Sequence, residues 1–166
     1  TYHVTIPLLR KDFIIDEFQL LEARAARADA VLLIVAALSP AELRSLSSAA
    51  LRYELDVLCE AHDEDELKRA LDAGCELVGV NSRDLRTFLV DLNTAFRLAS
   101  QFPDGVVRVA ESGIHNGRDI ARLRAAGYHA FLIGESLMAA EHPGQQLQAL
   151  LADAVAAIPA QRLCRG

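Results

Sequence analysis

An apolar, strand-like run that ends in a polar or glycine-bearing cluster and leads into a helix-like stretch recurs six times along the 166-residue chain. The clusters read Leu9-Arg10-Lys11-Asp12-Phe13, Cys59-Glu60-Ala61-His62, Asn81-Ser82-Arg83-Asp84-Leu85, Glu111-Ser112-Gly113 and Gly134-Glu135-Ser136, and the apolar run Val31 to Ala37 lies between the first two. Runs that are nearly continuously apolar suit strands covered by helices on both faces, and alternation with helices makes the sheet parallel with right-handed crossovers. An open doubly wound sheet shares that alternation but gathers its chemistry at a switch point, whereas a barrel carries it at the carboxyl end of strand after strand. The expected fold class is therefore α/β, a (β/α)8 TIM barrel, here as six βα units of an incomplete barrel. It forms a single domain over residues 1–166, with about 159–166 as a frayed tail. A closed barrel has eight strands in about 250 residues, so about a quarter of it is absent from this chain.

Capping signals phase the repeat. The first unit runs Ile6 to Phe13 as strand and Asp16 to Ala28 as helix. Ser39-Pro40-Ala41-Glu42 places serine at an N-cap, proline at N1 and glutamate at N3, which predicts a helix start after the strand Ala30 to Ala37. Asp63 and Glu66 repeat the arrangement after the strand Asp56 to His62, and Gly74 suits a left-handed C-cap. The fourth strand, Glu76 to Val80, is followed by a longer connection and a helix near Asn93 to Gln101. Val106 to Ala110 precedes a helix from Gly117 to about Ala126, with Asn116 as cap and Gly127 as stop. Ala130 to Ile133 precedes a last helix from about Gly144 to Ile158.

Composition narrows the function classes. Hydrophobic residues make up 52% of the chain, ample for a core, yet no run approaches the roughly 20 apolar residues of a membrane span. The net charge of −6 comes from interspersed acids and bases, so the basic footprint of a nucleic-acid binder is missing. Cys59, Cys75 and Cys164 are odd in number and lack C-x-x-C spacing, which predicts reduced thiols and a cytoplasmic location. The five histidines show no ligand spacing such as H-E-x-x-H, so no metal is expected. For His62 the readings are a place on the cavity rim or a helix-capping role beside Asp63, and the capping role is preferred.

Lys11, between Leu9 and Phe13, is expected to project into a partly apolar cavity, where loss of hydration makes a lysine a usable general acid or Schiff-base former. The plain alternatives are a lysine paired with Asp12 and a surface lysine in a loop. Glu60 ends an apolar strand, where a charge must meet a cation or act as an acid or base. Alternation puts Leu58, Glu60 and His62 on one face. Glu111 ends another strand in the same manner, and either glutamate could equally be a structural partner of Lys11 or Arg83. Ser112-Gly113 and Gly134-Glu135-Ser136 close the fifth and sixth strands, where strand-end loops and a helix N-terminus offer N–H groups to a phosphate.

Taken in order, these motifs, with Glu22-Ala23-Arg24, Gly79-Val80-Asn81-Ser82-Arg83-Asp84-Leu85, Ala110-Glu111-Ser112-Gly113-Ile114 and Leu132-Ile133-Gly134-Glu135-Ser136-Leu137-Met138, resemble the indole-3-glycerol phosphate synthases. The resemblance implies a cofactor-free lyase of tryptophan biosynthesis. Its reaction closes the indole ring of 1-(2-carboxyphenylamino)-1-deoxyribulose 5-phosphate with loss of carbon dioxide and water. It further implies that Lys11 is the general acid at the ribulose carbonyl and Glu60 the acid/base glutamate. Asn81, Arg83 and Glu111 surround the reacting part, Ser112, Gly113, Gly134 and Glu135 hold substrate or phosphate, and Phe13, Leu33 and Leu85 face the anthranilate ring. Ser82 and Ala28 depart from the family's common asparagine and glycine. By correspondence the chain starts near the third barrel strand, so the first-strand lysine of the family is missing. The chain alone is then expected to be inactive and to self-associate through open barrel edges. The rival readings are a non-catalytic partial barrel that docks on itself or a partner, and another phosphate-binding barrel such as phosphoribosylanthranilate isomerase.

Overall fold

The computed structural model describes residues 5–157. Six parallel βα units make up an incomplete (β/α)8 barrel, and the chain divides into two compact units. One runs through Val80 and includes Pro103–Val107, and the other comprises Asn81–Phe102 and the chain from Arg108 onward.

In the first unit β1 (Leu9–Arg10), β2 (Ala30–Ile34), β3 (Asp56–Ala61) and β4 (Leu77–Asn81) pair in chain order, each parallel to the next. Val31 to Val35 are all buried, the uninterrupted burial of a strand with both faces covered. Helix α1 (Glu17–Ala25) starts at Asp16, whose carboxylate accepts the Phe18 N–H, while Gln19 closes a capping box. Helix α2 (Pro40–Arg52) begins as its sequence predicts: Ser39 Oγ accepts from the Glu42 N–H and Glu42 accepts from the Ser39 N–H. Leu43, Leu46, Ala49 and Ala50 form its buried stripe. Helix α3 (Glu64–Asp72) is capped by Asp63, and Gly74 follows it with φ +82°, the left-handed stop expected there.

Two expectations change. The first strand is two residues long, where the apolar pattern predicts Ile6 to Phe13. Pro7 has no N–H to give a ladder, and the Asp12 carboxylate takes the Phe13 N–H at 2.8 Å, turning the chain away from its neighbour. Cys59 and Cys75 are joined as a disulfide across 16 residues, with Cα atoms 6.5 Å apart, and are not the reduced thiols that their number suggests. The α3 crossover brings the turn before β4 beside β3, a proximity that cysteine spacing does not encode. Cys164 lies outside the described residues.

In the second unit, α4 (Asn93–Leu98) continues into a 3₁₀ turn through Gln101, and β5 (Val107–Glu111) pairs parallel with β6 (Ala130–Leu132). Tyr128 is buried, its hydroxyl donating to the Ala95 carbonyl at 2.7 Å and its ring edge-on to Phe102. Helix α5 (Gly117–Ala125) has the expected Asn116 cap and Gly127 stop, the latter at φ +102°. A short helix α6 (Glu135–Met138), not evident in the sequence, opens at Gly134. Helix α7 (Pro143–Ala156) packs on α5 at Gly117, where a Cβ would come within 2.2 Å of the Ala154 backbone. The predicted end of that helix at Ile158 and the tail 159–166 lie outside the described residues.

Candidate active site

Among the described residues the buried polar and charged side chains are Glu60, Asn81, Ser82 and Glu111, and each stands at or just past the carboxyl end of β3, β4 or β5. Burying such groups is costly without compensation, so their concentration at strand ends marks them apart from the apolar core.

The first unit holds an ion-paired chain of four side chains. Lys11, just after β1, places Nζ 3.0 Å from Glu60 Oε2, with side chains 41% and 1% exposed respectively. Asp12, the alternative partner, instead lies 3.3 Å from the Arg10 guanidinium, which also reaches Glu22 and the Gln19 carbonyl. The other glutamate oxygen, Oε1, is 3.3 Å from His62 Nε2, as the alternation of β3 predicts. Glu66 Oε2 accepts from the His62 backbone N–H at 2.8 Å and lies 2.9 Å from His62 Nδ1. His62 thus does more than adjoin a cap. Burial opposes its charge, but the Glu60 and Glu66 carboxylates on either side outweigh that and push the imidazole up to about 9. In the β2–β3 register Ile34 stands opposite Glu60 and Leu33 opposite Cys59. Leu33 is therefore on the other face of the sheet from Glu60, fully buried, while Phe13 is exposed.

In the second unit the loop after β4 is cross-braced. Asn81 Oδ1 accepts the Arg83 N–H at 3.0 Å, Ser82 N–H donates to the Glu111 carbonyl at 2.9 Å, and Asp91 N–H donates to the Ser82 carbonyl at 2.9 Å. The Arg83 guanidinium binds the Glu135 carboxylate, bringing together two predicted site residues that lie 52 positions apart. Leu85 is half-buried in the same loop. Ser112 and Gly113 both adopt left-handed backbone, φ +62° and +74°. For serine that conformation is strained, and strain of this kind persists where surrounding structure enforces it, often at ligand sites. At Gly113 a side chain is also excluded by Val90, whose Cγ1 would lie 2.8 Å from a Cβ. Ser136 Oγ is buried with no hydrogen-bond partner among the described residues. The motif reading assigns His62 and Glu66 to helix capping and misses that they extend the Glu60 cluster. Their signal is the carboxylate at the third helical position, which can reach back past the cap.

Buried polar and charged side chains at the carboxyl ends of parallel strands, within six βα repeats, define the class of the chain as (β/α) barrel. Residues 1–150 match the family described as indole-3-glycerol phosphate synthase. An indole-3-glycerol phosphate synthase from Koribacter versatilis is 60% identical over 148 residues, covering 89% of this chain and 57% of the relative. One from Acidithiobacillus ferrooxidans is 51% identical over the same length, covering 89% and 56%. The chain belongs to the indole-3-glycerol phosphate synthase family, and it spans a little over half the length of the curated relatives it matches. Among solved structures, mandelate oxidase superposes with a TM-score of 0.72 at 18% identity, over 91% of this chain and 57% of that one, a likeness of fold alone. No helix among the described residues is long and apolar enough to cross a membrane.

Proposed function

We propose that the protein serves as an indole-3-glycerol phosphate synthase, a carboxy-lyase that closes the indole ring of 1-(2-carboxyphenylamino)-1-deoxyribulose 5-phosphate with decarboxylation and dehydration, in tryptophan biosynthesis. The observation that carries this reading is the 3.0 Å pair of Lys11 with the buried Glu60, in a chain whose family match covers both motifs. Lys11 donates its proton to the ribulose carbonyl, and Glu60 takes up and returns protons in the steps that follow. Asn81 and Glu111 hold the reacting part in place. Phosphate sits at the Ser112-Gly113 and Gly134-Glu135 loops, a role supported by the tandem left-handed backbone of Ser112 and Gly113 and by the unsatisfied Ser136 hydroxyl close in sequence to Gly134. Glu135 contributes there through its backbone N–H, its carboxylate being neutralised by Arg83. Phe13 and Leu85 contact the anthranilate ring, and Ile34, on the Glu60 face, takes the place expected of Leu33. The same reading takes the protein as cytoplasmic, acting on a phosphorylated small molecule without cofactor, nucleic acid or membrane.

A second copy of the chain is the partner we assign to its apolar surfaces. Leu147, Leu151 and Val155 recur at i, i+4 and i+8 on α7 and are all exposed, and Phe18 and Leu21 are exposed on α1.

The test is single-turnover formation of indole-glycerol phosphate by the chain mixed with a polypeptide covering the part of the Koribacter relative outside the match. Lys11→Ala and Glu60→Gln are each expected to slow the reaction by about 10² to 10⁴. Arg24→Ala, which removes an exposed pair with Glu54, leaves it unchanged. Near-parental turnover by Lys11→Ala would overturn the assignment.

A further inference from the structure

The Cys59–Cys75 disulfide joins two residues of unequal access. Cys59, within β3, is fully buried, whereas Cys75, in the turn between α3 and β4, is partly exposed. Cys75 also lines a cavity of about 580 Å³ at the amino-terminal ends of β3 and β4, whose wall lies wholly in the first unit. That volume falls within the roughly 300–1,000 Å³ of small-molecule sites. The cavity is at the opposite end of β3 from Glu60 and so is separate from the candidate active site. Its wall carries both signs of charge, Arg44 from α2 against Asp56 and Glu76, and it includes Ser47, whose Oγ is buried with no hydrogen-bond partner among the described residues. Such a wall suits a molecule that also carries both signs, its carboxylate toward Arg44 and its ammonium toward Asp56 or Glu76. The unmet Ser47 hydroxyl offers that molecule a further partner. A Cβ at Gly74, next to Cys75, would touch nothing within 4 Å, so the chain beside Cys75 is open to an approaching group.

We propose that Cys75 is a thiol–disulfide exchange site for small thiols bearing an amino-acid head, of the glutathione and cysteine class, with Cys59 as the resolving sulfur. A small thiol gives up its proton and its thiolate attacks Cys75 Sγ. The new S–S bond forms at Cys75, the Cys59–Cys75 bond breaks, and its electron pair leaves on Cys59 Sγ, which takes up a proton. A second small thiolate then attacks the outer sulfur of the mixed disulfide, releasing the small-molecule disulfide and leaving Cys75 to take up a proton as a thiol. Two electrons pass from two small thiols to the protein, and the same steps in reverse, driven by the small disulfide, restore the bond. Entry is at Cys75 because a sulfur shut inside the core is out of reach of an outside thiol. The disulfide closes the segment that contains Glu60, His62 and the whole of α3, so exchange fastens or unfastens the unit that carries the candidate acid–base residues.

The test needs no turnover. The oxidised chain is treated briefly with reduced glutathione, quenched with iodoacetamide in denaturant, and cut with trypsin, which puts the cysteines in separate peptides, Tyr53–Lys68, Ala70–Arg83 and Leu163–Arg165. Mass spectrometry should find the glutathionyl group on Ala70–Arg83 and the alkyl group on Tyr53–Lys68. The reverse pattern, or no adduct on either peptide, overturns the exchange site. Single variants check the same point from the reduced side: glutathione disulfide should modify Cys75 in Cys59→Ala and leave Cys59 free in Cys75→Ala, and modification of Cys59 at the rate of Cys75 overturns the assignment. Recognition by the cavity is read from Arg44→Gln, which should slow reaction with glutathione disulfide about threefold, the size of one exposed charge pair, and leave reaction with the uncharged hydroxyethyl disulfide unchanged. An equal effect on the two reagents overturns that recognition. Amide hydrogen exchange across α3 should be about tenfold faster in the dithiol than in the disulfide form, and equal rates overturn the fastening.

Discussion

Raising the pH from 6 to 9.5 is expected to remove about 3 kcal/mol of folding stability through His62 alone. In the folded chain its imidazole is pushed up to about 9, against an ordinary value of 6.5, because the neighbouring Glu60 and Glu66 carboxylates outweigh the opposing effect of burial. A group whose proton is held more tightly in the folded state stabilises fully below the unfolded value. That contribution falls as pH rises, because above 6.5 the unfolded chain gives up a proton that the folded chain keeps. It is gone once pH passes about 9. The gap between 6.5 and 9 corresponds to about 3 kcal/mol at 1.36 kcal/mol per pH unit, and the side chain is sheltered enough that solvent screening removes little of it. The assay is urea unfolding followed by circular dichroism at both pH values, for the parent and for His62→Gln. Lysines and tyrosines titrate alike in both proteins and cancel in the comparison. The parent should lose about 3 kcal/mol more than the variant between the two pH values. Equal pH dependence in the two proteins would refute the doubly held imidazolium.

Three further outcomes follow from the geometry. Inorganic phosphate titrated into the chain should move the backbone amide resonances of Ser112, Gly113, Gly134 and Glu135 together, and unchanged resonances at saturation would remove the anion site. Gly117→Ala should destabilise by about 3 kcal/mol, because its Cβ meets the α7 backbone and has no flexible side chain to displace; thermal unfolding with a parental midpoint would contradict the α5–α7 packing. Leu151→Lys, at the centre of the exposed α7 stripe, should reduce the mass seen by light scattering at high concentration, whereas an unchanged mass would remove that face as the contact between copies.

Local chemistry explains why much of the fold was legible. Ser39 and Glu42, Asn116, Gly74 and Gly127 act within a few residues of themselves, and each starts or stops its helix as its type predicts. The apolar run Val31 to Val35 likewise encodes its own burial. Where a distant or neighbouring group competes, the sequence pattern misleads: Asp12 ends β1 early, and α6 forms from four residues that carry no side-chain capping bond.

For the site, the sequence alone determined which residue types end the strands, because alternation along β3 already puts Glu60 and His62 on one face and because buried carboxylates stand out in apolar runs. Tertiary structure decided their partners. The choice of Glu60 over Asp12 for Lys11, of Cys75 for Cys59, of Glu135 for Arg83 and of Ile34 over Leu33 on the Glu60 face depends on strand register and crossover geometry. Those set distances between residues tens of positions apart, and a one-residue change in register would reverse every facing side chain, so no reading of spacing along the chain could supply them.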